Sequence, residues 1–133
     1  RYLDVFRDRT LERTRNGPKL VYICAPLRGD VEQNITFAKE KAQEVFQAGD
    51  IPICPHLMFP PFADPDDPVQ DQAAREMGLR LVEHCQQVNV YGPVRTPGML
   101  AEIRRAEELR IPVKADQPGL QKTKGRPRRG QSR

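Results

Sequence analysis

Short apolar runs alternate with amphipathic stretches along this chain, and that alternation limits the folds open to it. After a charged helix over residues 3–15, the pattern predicts strands at 19–24, 51–54, 87–91 and 111–113. Helices fall between them at 31–48, 70–85 and 97–110, each with apolar positions at helical spacing or a capping residue at its start. Strict strand–helix alternation favours a mostly parallel sheet with right-handed crossovers and helices on both faces. We therefore predict an α/β fold with a doubly wound, mostly parallel sheet of four to five strands.

The direction of winding in such a sheet predicts where a ligand binds. With strand order 2-1-3-4, winding reverses between the first and third strands, so the loops that follow them flank one crevice. Those loops are residues 26–30 and 92–98, which bring Arg28 and Gly29 opposite Thr96, Gly98 and Glu102. The loop that holds His56 is expected nearby. A cation, two helix N-termini and a carboxylate suit a small anionic substrate such as a nucleotide.

Glu102 is the predicted nucleophile. We place it in the first turn of the helix after the third strand, where the helix dipole favours the ionised form. Gly98 and Ala106 lie one turn away on the same helical row, and both are small enough to let a substrate approach. An ionised, accessible carboxylate is what a glycosyl-transferring nucleophile requires.

Size and charge divide the chain into three parts. The 133 residues, 38% of them hydrophobic, support one compact domain. We expect an N-terminal helix over 1–18, the α/β domain over 19–114 and a disordered basic tail over 115–133. Residues 121–133 hold six of the 22 basic residues and no acid, so the other 120 residues sum to −2. Attraction to DNA or anionic lipid is therefore expected of the tail alone.

Cysteine usage and hydropathy predict the compartment. Three cysteines in a chain of this length argue against a disulfide framework and for a reducing environment. No apolar run approaches a membrane span and no signal-peptide pattern opens the chain, so we expect a cytoplasmic protein that does not bind a membrane. Cys24, Cys54 and His56 together admit a metal, but they lack a spaced ligand pair, so buried thiols are favoured and no metal or cofactor is predicted.

Several segments in order resemble the nucleoside 2-deoxyribosyltransferase superfamily, over roughly residues 19–113. They are residues 22–29 (YICAPLRG), Asn34, the loop at 55–57 (PHL) and the helix start with Gly98 four residues before Glu102. Within the superfamily the chain is similar to a branch of small uncharacterised domains and, more distantly, to 2′-deoxynucleoside 5′-phosphate N-hydrolases.

The resemblance implies a flavodoxin-like or Rossmann-like fold, cleavage of an N-glycosidic bond by a glutamate nucleophile, and a homo-oligomer, with a dimer expected. Position by position, Glu102 matches the nucleophile, and Thr96 and Gly98 match contacts to a 5′-phosphate or ribose. Tyr22, Arg28 and Gly29 match first-loop contacts to the substrate, and we also expect Pro26, Asn34 and His56 to contact it.

Two positions depart from the hydrolase pattern. Pro26 replaces a serine, and the acidic residue expected to bind or protonate the leaving base falls at Gly78. Glu76 is near, but two residues on a helix are about 200° apart. His56 and Asp30 are the substitutes considered for that proton donor.

The tail predicts a second class of function. Residues 122–130 (KTKGRPRRG) resemble an AT-hook, in which an extended Gly-Arg-Pro core enters the narrow minor groove of A·T-rich DNA. A solubilising polycation is the simpler interpretation of Lys122, Lys124, Arg126, Arg128, Arg129 and Arg133. A catalytically inactive nucleotide-binding or DNA-associated module is accordingly the alternative to an enzyme.

Overall fold

The computed structural model describes residues 17–26 and 30–115. The predicted N-terminal helix, the basic tail and the loop residues Arg28 and Gly29 lie outside the described residues. Within the described part the elements, in chain order, are β1 (Leu20–Cys24), α1 (Val31–Gln47), β2 (Ile51–Ile53), α2 (Pro55–Met58), α3 (Pro68–Val82), β3 (Gln87–Val90), α4 (Pro97–Glu108) and β4 (Val113–Ala115).

The four strands form one parallel sheet in the order β2-β1-β3-β4, which confirms the predicted topology. The strand β1 lies at its centre and pairs with both β2 and β3, so that Tyr22 lies between Ile53 and Val88. The winding direction changes beside β1, as the sequence predicted.

Side chains of β1 alternate between two hydrophobic cores, because successive residues of a strand point to opposite faces of the sheet. Val21 and Ile23 pack with Ala38 and Val45 of α1 on one face. Tyr22 and Cys24 point to the other face, where they pack with residues of α3 and α4: Val82, Met99, Ile103 and Ala106. The face that carries Tyr22 is therefore the face on which Glu102 lies.

Both predicted helix caps are present. The Asp30 carboxylate accepts a hydrogen bond from the Gln33 amide at 3.0 Å and begins α1. The Thr96 hydroxyl accepts one from the Met99 amide at 3.2 Å and begins α4, with Pro97 in its first turn. These local signals are readable from sequence because each cap bonds to an amide three residues away.

The helix α3 differs from its prediction. It begins at Pro68 after an Asp67 cap, and it buries Gly78 and Val82. Met77, expected to point inward, is 55% exposed. Leu81 and Cys85 do pack against the core, so the prediction was wrong at Met77, where Gly78 takes the inward position and offers no apolar side chain to the periodicity. The short helix α2 was also missed within what the sequence predicts as a loop.

Candidate active site

A cavity of about 580 Å³ opens at the carboxyl edge of the sheet. Glu102, Thr96 and Gly98 of the α4 region form one wall, Gly78 of α3 forms another, and His56 of α2 forms a third. Each wall follows the carboxyl end of a strand or packs over it, where open α/β sheets bind ligands. The structure therefore brings four of the sequence-predicted residues, Glu102, Thr96, Gly98 and His56, to one cavity.

Glu102 is fixed by a side chain 80 residues away in the chain. Its Oε2 accepts a hydrogen bond of 2.5 Å from the Tyr22 hydroxyl. Tyr22 has no exposed surface. Burial and the adjacent Glu102 raise the pKa of the Tyr22 phenol far above its ordinary value, so the hydroxyl keeps its proton and donates it.

Two opposing effects set the pKa of Glu102. Burial is the larger and raises it, whereas hydrogen bonds from Tyr22 and Cys24 and the nearby His56 lower it. The net result is a pKa above the ordinary glutamate value. This corrects the expected role of the helix dipole: Glu102 is the sixth residue of α4 and lies in its second turn, whereas the dipole acts mainly within the first.

Gly78 lets α3 pack directly against this pair. A Cβ built on Gly78 lies 3.2 Å from the Tyr22 hydroxyl and 3.8 Å from Glu102 Oε2. Glu76, two residues earlier, is exposed and accepts a hydrogen bond of 3.0 Å from Gln72. The resemblance places an acidic residue at position 78, but in the structure the backbone of α3 at Gly78 lies close to the Tyr22 hydroxyl.

The remaining cavity residues are partly engaged within the fold. The Nε2 atom of His56 lies 2.5 Å from the carbonyl oxygen of Ala25, so the ring donates there. The hydroxyl of Thr96 caps α4 and retains its own proton for a ligand. A Cβ on Gly98 meets only the Thr96 hydroxyl, at 3.9 Å, so the wall beside Glu102 is open at this point.

Other predicted site residues lie elsewhere. Pro26 and Asn34 line a separate depression of about 490 Å³ with Gly92 and Pro93, since α1 packs on the opposite face of the sheet. This corrects the expectation that they line the crevice beside Glu102. Tyr22 lies behind Glu102 and not on the cavity surface, which corrects its expected contact with substrate. Asp30 is an exposed helix cap and lines neither depression.

Sequence reasoning missed the outer wall of the cavity. That wall comes from the loop after α2, with Phe59, Asp64 and Asp66, and from Asp71 and Arg75 of α3. Asp71, Ala74, Arg75 and Gly78 share one helical face, since they are spaced by three and four residues. That polar spacing was the available signal. The sequence does not single out this polar face, because Ala74 also fits an apolar stripe through Met77 and Leu81.

The remaining observations concern the three cysteines, metal-binding side chains and membrane-spanning helices. Cys24, Cys54 and Cys85 are free and buried. Burial is the main cause of the raised pKa of Cys54, which is about 11. Across residues 17–26 and 30–115, no three or more histidine, cysteine or acidic side chains are grouped to hold a metal ion. In the same part of the chain, no helix has the length and apolar character needed to cross a membrane.

Residues 19–116 match the family described as Domain of unknown function (DUF7768). The chain belongs to this family. Among solved structures, the DUF7768 domain is similar to a 2-deoxyribosyltransferase from the psychrotolerant bacterium Bacillus psychrosaccharolyticus, with a TM-score of 0.60 and 12% identity over 72% of this chain and 70% of that one. At that identity the likeness shows a shared fold. No curated protein matches the sequence.

Proposed function

We propose that this DUF7768 domain cleaves the N-glycosidic bond of a nucleoside, a nucleoside 5′-monophosphate or a related N-glycoside, with Glu102 as the nucleophile. The observation that carries the proposal is the Tyr22–Glu102 hydrogen bond at the wall of a cavity on the carboxyl edge of the sheet. The fold shared with a 2-deoxyribosyltransferase supports it.

In the proposed reaction, Glu102 attacks C1′ and the heterocycle leaves with the bonding electrons. Tyr22 holds one carboxylate oxygen, which orients the other toward the sugar and favours the ionised form. Tyr22 is thus a positioning residue and makes no contact with substrate. Water, or a second base, then attacks C1′ and restores the carboxylate, giving hydrolysis or transfer.

Substrate contacts in the proposal come from Thr96 and Gly98, which lie beside Glu102 in the cavity wall. The open space at Gly98 admits a sugar close to the carboxylate. Arg28 and Gly29 remain predicted contacts to the sugar or phosphate, on their place in the sequence after β1.

The test is a free-base release assay over a panel of nucleosides and 5′-monophosphates, with wild type and Glu102→Ala. Glu107→Ala is the matched control, since Glu107 is exposed on the same helix and lines no cavity described above. We expect the first variant to lose release and the second to keep it. Undiminished turnover in Glu102→Ala, or a glycosyl adduct trapped on another residue by mass spectrometry, would overturn the assignment.

DNA association by the tail is a second proposed function, compatible with the first. It rests on the charge distribution: six basic residues and no acid in residues 121–133, against −2 for the rest.

A further inference from the structure

Gly78 has no side chain that could protonate a leaving group, and α3 packs closely against Tyr22 at this position. A Cβ there lies 3.2 Å from the Tyr22 hydroxyl, closer than ordinary van der Waals contact. A side chain at this position would require Tyr22 or α3 to shift by a few tenths of an ångström. A proton for the departing heterocycle must therefore come from another group or not be needed.

Three protic side chains near Glu102, those of Tyr22, Cys24 and His56, have hydrogen-bond partners within the fold. The Tyr22 hydroxyl donates to Glu102 itself. The Cys24 thiol lies 3.7 Å from the carbonyl oxygen of Met99, and the His56 Nε2 bonds the Ala25 carbonyl.

The cavity wall within the described residues is also predominantly acidic. Beside Glu102 it carries Asp64, Asp66 and Asp71, against one arginine, Arg75. Arg75 and Asp71 offset each other, because Arg75 Nε lies 3.0 Å from Asp71 Oδ2, and Glu102, Asp64 and Asp66 remain as the negative charges of the wall. A cavity lined in this way attracts a positively charged ligand group.

We propose that the substrate is a nucleoside or nucleotide whose leaving heterocycle is itself cationic, such as a pyridinium or an N-alkylated purinium ring. This rests on the proposed function and names its substrate class. A cationic ring needs no proton to depart, and the aspartates of the wall attract it. The neutral bases of ordinary nucleosides leave as anions unless they are protonated, so this site handles them poorly.

The step balances without a general acid. Glu102 forms a bond to C1′, the C1′–N bond breaks, and its electron pair neutralises the ring, which departs uncharged. Water then attacks C1′, the ester bond to Glu102 breaks, and one proton passes to solvent. The net reaction converts a cationic N-glycoside and water into the free sugar, a neutral heterocycle and a proton.

The experiment compares 7-methylguanosine with guanosine, a pair that differs by the methyl group that makes the ring cationic, and adds nicotinamide riboside as a pyridinium substrate, each also as the 2′-deoxy form. We expect kcat/KM for the cationic member to exceed that of the neutral one by roughly 100-fold or more, the usual contribution of a general acid that the neutral substrate lacks. Glu102→Ala should abolish release from both members.

Asp66→Asn tests the role of wall charge. The Asp66 carboxylate is exposed and lines the cavity. The variant should lower kcat/KM a few-fold for cationic substrates only, and less as salt is raised. The control is Glu107→Gln, which makes the same change in net charge away from the cavity and should leave both classes unaffected.

Three results would overturn the inference. Equal turnover of both members, abolished by Glu102→Ala, would refute the cationic leaving group while leaving the glycosidase standing. Rapid release of neutral bases that is lost in His56→Gln would identify His56 as a general acid and refute it too. No Glu102-dependent release from any member would refute the proposed function and the inference together.

Discussion

At the scale of single residues, burial and the hydrogen bond from Tyr22 act in opposite directions on the acidity of the proposed nucleophile, Glu102. Burial raises the pKa of Glu102 and the bond from Tyr22 lowers it. The reaction needs the ionised carboxylate, so activity should rise with pH through the Glu102 pKa. The acidic limb of the pH profile therefore reports this balance.

Tyr22→Phe removes one of the groups that lower the pKa of Glu102. We expect the acidic limb of kcat/KM to move up by roughly one pH unit or more, since a hydrogen bond to a charged group contributes about 1.5–3 kcal/mol. Tyr91→Phe is the control, because the Tyr91 hydroxyl accepts from Asn89 and lies in the other core. An unmoved limb in Tyr22→Phe would contradict the role given to this bond.

Glu102→Gln should lose activity yet stabilise the fold at neutral pH. The folded-state pKa of Glu102 is raised, so its contribution to stability is fully present below its unfolded pKa and is lost as pH rises through the folded value. The gain in Tm over wild type should therefore be near zero at pH 4 and positive at pH 7.5, with each 1 kcal/mol giving roughly 4–8 °C. A Tm of Glu102→Gln below that of wild type at pH 7.5 would show that burial does not destabilise the ionised Glu102 carboxylate.

At the scale of elements, two glycines test how closely the helices pack around the site. Both Gly78 of α3 and Gly98 of α4 are helical, and alanine in an exposed helix stabilises by about 1 kcal/mol relative to glycine. Gly98→Ala meets open space and should show that gain. Gly78→Ala places its methyl group 3.2 Å from the Tyr22 hydroxyl and should destabilise the fold and lower kcat.

Thermal unfolding and base release on both variants provide the measurement. A stabilised, fully active Gly78→Ala would mean that α3 shifts at no cost, and the argument from close packing at position 78 would fail. Gly98→Ala should lose activity while its fold stays stable, because the proposed sugar position is the space beside Thr96 that the methyl group would enter.

At the scale of the whole molecule, exposed apolar side chains support the proposed homodimer. Phe62 is 71% exposed and Met58 is 41% exposed. The Phe62 ring contacts that of Phe59 at a centroid distance of 5.8 Å, which places three apolar side chains in one stretch of surface after β2. We expect a dimer by light scattering at micromolar concentration, weakened by Phe62→Ser. The control is Val94→Ser, which alters another exposed apolar residue, 66% accessible. A monomeric wild type would contradict the dimer.

The second whole-molecule prediction concerns residues 122–133. Their removal should abolish salt-sensitive DNA binding and leave base release unchanged, because the proposed site is built from α2, α3 and α4. Six phosphate contacts predict a slope of log K against log salt near −5. An AT-hook should also favour A·T-rich over G·C-rich duplex at equal salt, whereas a plain polycation binds both alike. DNA binding that survives the truncation would refute the assignment to the tail.

The sequence alone determined the features that depend on short-range rules. Apolar alternation predicted four strands and their helices, the order 2-1-3-4 expected of a doubly wound sheet is the order observed, and three-residue spacing predicted the caps at Asp30 and Thr96. Those rules also placed Glu102, Thr96, Gly98 and His56 at one edge of the sheet. Each is a consequence of backbone geometry over a few residues or of the winding of a parallel sheet.

Only the tertiary structure decided what surrounds Glu102. Tyr22 and Glu102 are 80 residues apart, and their contact requires a β1 side chain and α4 to meet on one face of the sheet. The rotation of α3, which presents Gly78 and Asp71 and turns Met77 outward, depends on which surface that helix packs against. The pKa of Glu102 likewise follows from burial opposed by three distant neighbours. No local pattern encodes these distances, because packing between elements fixes them.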